Sequence, residues 1–218
     1  MKFILGTGYH KRDNADSVEF LRIWYRNLKR YCPPPDWIIA ITTGQRFPLF
    51  WAEDVQWIRA ANLGHADDPK DYLSGWSAAV LALAMIAYNC TADLVFLEQD
   101  CLAFGNWLET AYADMGERQM VFGHKQESEP FMPSSNSLFI IRHGFLREFV
   151  RRYLALPPDR EMNAENKFVE IENQSPSDFA RLSFGVDRCR PIPWEAPVFY
   201  AQRLTDDELA EARRRGLL

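Results

Sequence analysis

The sequence predicts an α/β domain with a mostly parallel central sheet and helices on both faces. Three observations lead there. Short apolar runs alternate with helical patterns through the first two thirds of the chain. The runs are continuously apolar, as strands covered on both faces must be. The composition, 47% apolar and 25% charged over 218 residues, suits one globular domain with a full core. No repeat or low-complexity stretch interrupts the pattern, so a single domain over 1–218 is the economical reading.

The elements follow in order. Residues 3–5 read as a short buried strand that breaks into a turn at Gly6-Thr7-Gly8. Asp16 or Ser17 caps a helix whose apolar positions, Val18, Leu21, Trp24, Tyr25 and Leu28, keep a 3–4 spacing. Pro33-Pro34-Pro35 ends it. Residues 37–41 and 55–58 are further strands, and 62–73 a loop. Ser74 caps a helix reaching about Asn89, apolar on most sides and therefore expected to lie against the sheet. Residues 94–97 are the strongest strand in the chain. A helix at 107–115, strands at 120–122 and 138–141, and a helix at 145–156 follow, the last stopped by Pro157-Pro158. Beyond these, 161–172 is mixed, 176–182 reads as helix, 190–192 as a short strand and 206–215 as a polar helix.

Composition narrows the function classes. Net charge is −5, which disfavours general phosphate-backbone binding. The four cysteines, Cys32, Cys90, Cys101 and Cys189, form no CxxC pair and are too scattered for a zinc site or disulfide framework. They read as buried free thiols in a reducing compartment. The first residues carry too short an apolar run for a signal peptide. The longest mostly apolar stretch, 78–88, is also too short for a bilayer, which needs about 20 residues. A cytoplasmic protein is the expectation.

The chemistry concentrates at Glu98-Gln99-Asp100. Ligands of open α/β sheets bind beyond the carboxyl ends of the strands, where these residues sit. On an extended strand, residues two apart share a face, so Glu98 and Asp100 can converge on one cation. Hard ions such as Mg²⁺ or Mn²⁺ take carboxylate oxygens together with phosphate oxygens. Taken alone, such a pair is also what a solvated strand end looks like.

Context adds to it. Gly75-Trp76-Ser77-Ala78-Ala79, Ala84-Met85-Ile86-Ala87 and Ala92-Asp93-Leu94-Val95-Phe96-Leu97-Glu98-Gln99-Asp100 together resemble the GT-A type of nucleotide-sugar-dependent glycosyltransferase. There, a helix of small and apolar residues leads into a strand ending in a DxD-type acid motif. The likeness covers residues 75–105 well and, less specifically, the opening strand and the alternation to about 156. It implies a Rossmann-like GT-A fold, with a nucleotide-sugar-binding part over 1–105 and an acceptor-side part over 106–218. It also implies a divalent metal (Mn²⁺ or Mg²⁺) on the diphosphate, held by Glu98 and Asp100, with Asp100 the direct ligand. By resemblance the donor is a UDP-sugar. Its nucleotide would lie near Thr7, Gly8, Tyr9 and Thr43, with Asp67, Asp68 and Gln99 close by. Glycine there would admit a close backbone approach, and Tyr9 could stack on a base.

The chain departs from the pattern in two ways. The helix start usually carries Arg and Asn, but Ala78-Ala79-Val80 stands here. The late His that many metal-dependent members use has no counterpart after His143, which leaves Gln202 or Arg203 to stand in. Glu165, at a helix start in Ala164-Glu165-Asn166, is the candidate general base for an inverting transfer; a retaining enzyme would not need it. His10, His124 and Ser134-Ser135-Asn136-Ser137 are candidate sugar contacts and equally ordinary surface or turn residues. Arg142, Arg147, Arg151, Arg152 and Arg213-Arg214-Arg215 complement helix ends or face an anionic acceptor. The acceptor class stays open among sugar, lipid, protein and modified nucleic acid. A nucleotidyltransferase and a catalytically silent nucleotide-binding protein on the same fold are the rival readings.

Overall fold

A computed structural model describes residues 2–9, 16–43, 54–61, 63–65, 68–69, 72–124, 134–186 and 189–218. In chain order the elements are β1 (Phe3–Tyr9), α1 (Asp16–Tyr31), β2 (Trp37–Thr43), β3 (Val55–Ala60), β4 (Gly64–His65), β5 (Asp68–Pro69), α2 (Gly75–Asn89), β6 (Asp93–Leu97), β7 (Cys101–Phe104), α3 (Trp107–Met115), β8 (Met120–His124), β9 (Ser134–Ile141), α4 (His143–Ala155), α5 (Ala164–Gln174), β10 (Phe179–Val186), β11 (Phe199–Gln202) and α6 (Asp206–Arg214).

Seven strands form the main sheet in the order β10-β8-β9-β6-β1-β2-β3. All run one way except β9, which is antiparallel to both β6 and β8. Side-chain alternation sorts this sheet into two cores. Leu5, Val95, Leu97, Val121, Leu138 and Ile140 point to the face covered by α1, α3 and α6. Ile4, Leu94, Phe96, Met120, Phe122, Phe139 and Ile141 point to the face covered by α2, α4 and α5. Both faces are dry, which is why the central strands are apolar at every position.

Local chemistry explains most boundaries. The Ser74 hydroxyl accepts from Ser77 N and starts α2 where the sequence predicts. Thr205 and Glu208 form a reciprocal capping box on α6. Asn163 caps α5 by accepting from Asn166 N.

Four expectations need correction. Gly6-Thr7-Gly8 is not a turn: β1 continues through it to Tyr9, paired with β2 along its length. The glycine at position 6 serves packing, since a Cβ there would lie 2.7 Å from Leu83 Cδ1, and its absence lets α2 press onto the strand. Within the stretch read as loop, β4 and β5 pair as a short antiparallel ladder. The helix expected at 176–182 is a single 3-10 turn, Pro176–Asp178, followed by β10; Phe179 and Leu182 are buried as strand residues. No strand forms at 190–192. The late strand is β11, whose partner is β7, an element the sequence reading passed over.

Candidate active site

Beyond the strand ends, the site is built from the sheet outward. The sheet order reverses direction of growth between β1 and β6, the kind of switch point where open α/β sheets bind ligands. Tyr9 pairs with Thr42 and Gly6 with Phe96. Thr7, Gly8, Tyr9, Thr43 and Glu98-Gln99-Asp100 therefore share one edge of the sheet. Asp68 lies in the β4–β5 ladder; Asp67 and His10 lie outside the described residues.

Strand β6 ends at Leu97, so Glu98-Gln99-Asp100 is not extended. It forms a tight turn closed by Cys101 N donating to Glu98 O at 3.0 Å. The two carboxylates thus converge through a turn and not through strand alternation. Glu98 N donates to Ser137 O at 2.8 Å, which ties the turn to β9.

Three side chains from elsewhere complete the cluster. Trp76, in the first turn of α2, donates its indole N–H to Glu98 Oε1 at 2.8 Å. Its ring packs edge-on against Phe96 and Phe168. Gln202, the last residue of β11, donates Nε2–H to Glu98 Oε2 at 2.6 Å and reaches Asp100 Oδ1 at 3.3 Å. Arg203 Nε lies 3.4 Å from Asp100 Oδ2. The β7–β11 ladder, which sets Gln202 opposite Cys101, brings these late residues onto the acids. Gln202 and Arg203 therefore both reach the motif, but a guanidinium has no acceptor atom to ligate a cation, so of the two only Gln202 carries a ligand atom.

Gln202 is only 3% exposed, and its Oε1 has no hydrogen-bond partner. A buried amide oxygen without a donor is costly; a half-turn of the amide, which exchanges its O and N, would aim that oxygen toward the two acids and a cation between them. Among the described residues, no group of three His, Cys, Asp or Glu could hold a metal. The available donors are all hard oxygens: two carboxylates and one amide. That set fits Mg²⁺ or Mn²⁺ with positions left for phosphate and water, and does not fit Zn²⁺.

The remaining candidates divide. Thr7 is fully buried and Tyr9 is 2% exposed, its ring edge-on to Trp57 at 5.7 Å. Tyr9 is thus packed in the core and is not an open stacking face. A Cβ on Gly8 would make only ordinary contact with Ala79. Glu165 opens α5 one turn before Phe168, which packs on Trp76; the same helix therefore touches the group that holds Glu98. Ser135 accepts from Tyr200 OH at 2.9 Å. Arg151 and Arg152 both bind Glu148, and Arg214 and Arg215 both bind Glu211. Each pair of guanidiniums shares one carboxylate, and Arg215 also reaches Glu195. All four cysteines are free thiols, Cys101 fully buried and the others partly so.

Trp76 escaped the sequence reading, which took it as one more apolar helix residue. Behind it lies a buried polar network. Lys167 Nζ meets Asp159 Oδ1 at 2.6 Å with both side chains at most 1% exposed. Asp159 Oδ2 accepts from Ser74 N at 2.7 Å, which fixes the start of α2 and hence Trp76. Burial by itself would raise the Asp159 carboxyl, but hydrogen bonds from Lys167, Ser77 and Ser74 outweigh it and hold the group below the usual carboxylate range. Burial first, and the nearby Asp159 charge second, push the Tyr153 hydroxyl up; it shares a hydrogen bond with Ser77 Oγ at 2.5 Å.

No protein-family model matches the chain, and no curated protein sequence matches it significantly. Solved structures do. The galactosyltransferase LgtC, bound to donor and acceptor sugar analogs, superposes with a TM-score of 0.58 over 99% of this chain and 95% of that one, at 11% identity. The chain has the GT-A fold. The glycosyltransferase GlyE of Streptococcus pneumoniae TIGR4 matches with a TM-score of 0.55 at 11% identity, over 95% of this chain but only 55% of its own. A putative glucose-1-phosphate thymidylyltransferase from Bacillus anthracis matches this GT-A domain equally well, with a TM-score of 0.55 at 9% identity over 99% and 95% of the two chains. No helix among the described residues of the GT-A domain is long and apolar enough to cross a membrane.

Proposed function

We propose that the protein is a glycosyltransferase that moves a sugar from a nucleoside diphosphate sugar, a UDP-sugar by resemblance, to an acceptor hydroxyl. The observation that carries the reading is the joining of Glu98 and Asp100 by Gln202 at the switch-point edge of the sheet. Asp100, Gln202 through its unpartnered oxygen and, more loosely, Glu98 would hold a divalent cation, Mn²⁺ or Mg²⁺. When bound, the cation neutralises the charge that builds on the leaving diphosphate. The chain's own residues orient the donor. Trp76 and Gln202 hold the Glu98 carboxylate from two sides, and the backbone at the strand ends Thr7, Gly8, Tyr9 and Thr43, with Asp68 and Gln99, would border the space for the nucleoside. Glu165 takes the acceptor proton if the transfer inverts configuration.

The test is a thermal-shift titration with nucleoside diphosphates and UDP-sugars, with and without Mn²⁺, repeated on Asp100→Ala. Wild type gains several degrees with UDP and Mn²⁺ together, and the variant loses the metal-dependent part. Absence of any nucleotide stabilisation in wild type refutes the reading. The thymidylyltransferase likeness keeps a nucleotidyltransferase as the second reading. Pyrophosphate release from a nucleoside triphosphate and a sugar 1-phosphate, with no turnover of UDP-sugars, would select it. A silent nucleotide-binding protein would bind UDP without needing Mn²⁺ and hydrolyse no UDP-sugar.

A further inference from the structure

Resting on the glycosyltransferase reading, we propose that Arg203 is an exchangeable counter-ion. It is paired with Asp100 when no cation is present, and is released to grip the donor's diphosphate when a divalent cation takes Asp100. Two observations carry it. The backbone of Arg203 is pinned: its N–H donates to Asp100 O at 2.9 Å, and Arg190 donates to the carbonyls of Gln202 and Arg203 at 3.1 and 3.3 Å. It is pinned in a left-handed conformation, φ 54°, which an arginine does not adopt without compensation. Its side chain, by contrast, is held weakly. The guanidinium sits 3.4 Å from Asp100 with 48% of the side chain exposed, and no hydrogen bond from it to a carbonyl or a second carboxylate is made among the described residues.

A fixed backbone carrying a loosely paired guanidinium beside the candidate metal ligand is suited to switching partners. The guanidinium and a divalent cation compete for one carboxylate. Once displaced, the guanidinium would stay tethered beside Asp100 by its fixed backbone, within reach of a diphosphate that a cation on Asp100 would hold. Its planar fork matches phosphate oxygens better than a single carboxylate oxygen at 3.4 Å. Metal and diphosphate then bind cooperatively, because each removes a cost the other would meet alone.

The experiment measures Mn²⁺ binding by electron paramagnetic resonance, and UDP and UMP binding by calorimetry with saturating Mn²⁺, for wild type, Arg203→Ala and Arg203→Gly. Exposed ion pairs are weak, so removing Arg203 should tighten Mn²⁺ binding in the absence of nucleotide by about threefold. UDP should bind about tenfold or more weakly, as expected for loss of a charge-assisted hydrogen bond, while UMP binding is unchanged. Arg203→Gly relaxes the left-handed backbone and should reproduce both shifts, which separates the side chain's role from loop strain. Unchanged or weakened Mn²⁺ binding in the variants overturns the proposal, as does UMP losing as much affinity as UDP. If wild type binds both ligands and neither variant moves either constant, this inference falls and the glycosyltransferase reading stands. If wild type binds neither Mn²⁺ nor UDP, both fall together.

Discussion

Replacing Lys167 by methionine keeps most of the apolar stem and removes the charge. The consequence is set by what Asp159 retains. Its Oδ2 keeps the Ser74 N–H at 2.7 Å, but Oδ1 loses a partner at 2.6 Å in a setting where the carboxylate is 1% exposed. A buried ion pair broken on one side costs about 3–5 kcal/mol, because the remaining charge is neither solvated nor paired. For a chain of this length each kcal/mol moves the melting temperature by roughly 2–4 °C, so the expected drop is on the order of 6–20 °C. Urea denaturation at neutral pH measures it, with the slope unchanged if the native state stays compact. Asp159→Asn strands the lysine instead, and the amide oxygen it introduces can still accept from Ser74 N. The double variant K167M/D159N should therefore cost less than the two singles added, by about 1–3 kcal/mol. A loss below about 1 kcal/mol in Lys167→Met would mean that water reaches Asp159 and that the network is not the anchor of α2.

Three further outcomes follow from the same geometry. The folded Asp159 carboxyl lies below its unfolded range, so its contribution is present above the unfolded value of about 4 and is lost as pH falls below that; as pH falls below about 4, wild type should lose stability more steeply than Lys167→Met, as followed by thermal unfolding. Trp76→Phe keeps the ring contacts and deletes the indole N–H that Glu98 accepts; Mn²⁺-dependent UDP affinity should fall about fivefold to tenfold with little change in melting temperature, and an unchanged affinity would remove Trp76 from the site. Gly105→Ala meets both a left-handed backbone, φ 73°, and Pro197 O only 2.0 Å from the new Cβ; a loss of about 3 kcal/mol or more is expected on chemical denaturation, accompanied by weaker Mn²⁺-dependent nucleotide binding, because Gly105 packs β7 against the segment that leads into β11 and Gln202.

The sheet was legible where one physical cause dominated. The run Leu94-Val95-Phe96-Leu97 had to be a strand buried on both faces, and all four residues are fully buried. Ser74 before an apolar stretch had to cap a helix, and its hydroxyl does. Misreadings arose where two causes compete for the same letters. Glycines at 6 and 8 signal a turn, yet at position 6 the demand of α2 for close approach explains the glycine without any change of direction. Residues 176–182 open with Pro-Ser-Asp, a good helix start, but only one turn forms. The next residues pair with β8 and gain cross-strand partners that a short helix could not supply.

The candidate site was half legible for a related reason. Glu98 and Asp100 stand out because acids after an apolar strand are local in sequence. Their partners are not local: Trp76 is 22 residues from Glu98 and Gln202 is 104 residues away. Nothing in the letters Phe-Tyr-Ala-Gln says that this strand returns to Cys101–Phe104, and a short apolar run at position 101 merges by eye with the strand before it. What separates them is the turn at Glu98-Gln99-Asp100, and that turn changes the chemistry. On an extended strand the two carboxylates would depend on alternation alone. In the turn they close around a donor from β11, so the integrity of the site depends on a ladder formed by the end of the chain. A substitution that loosens β11, such as Tyr200→Ala at a buried position hydrogen-bonded to Ser135, should therefore damage cation and diphosphate binding without touching either acid.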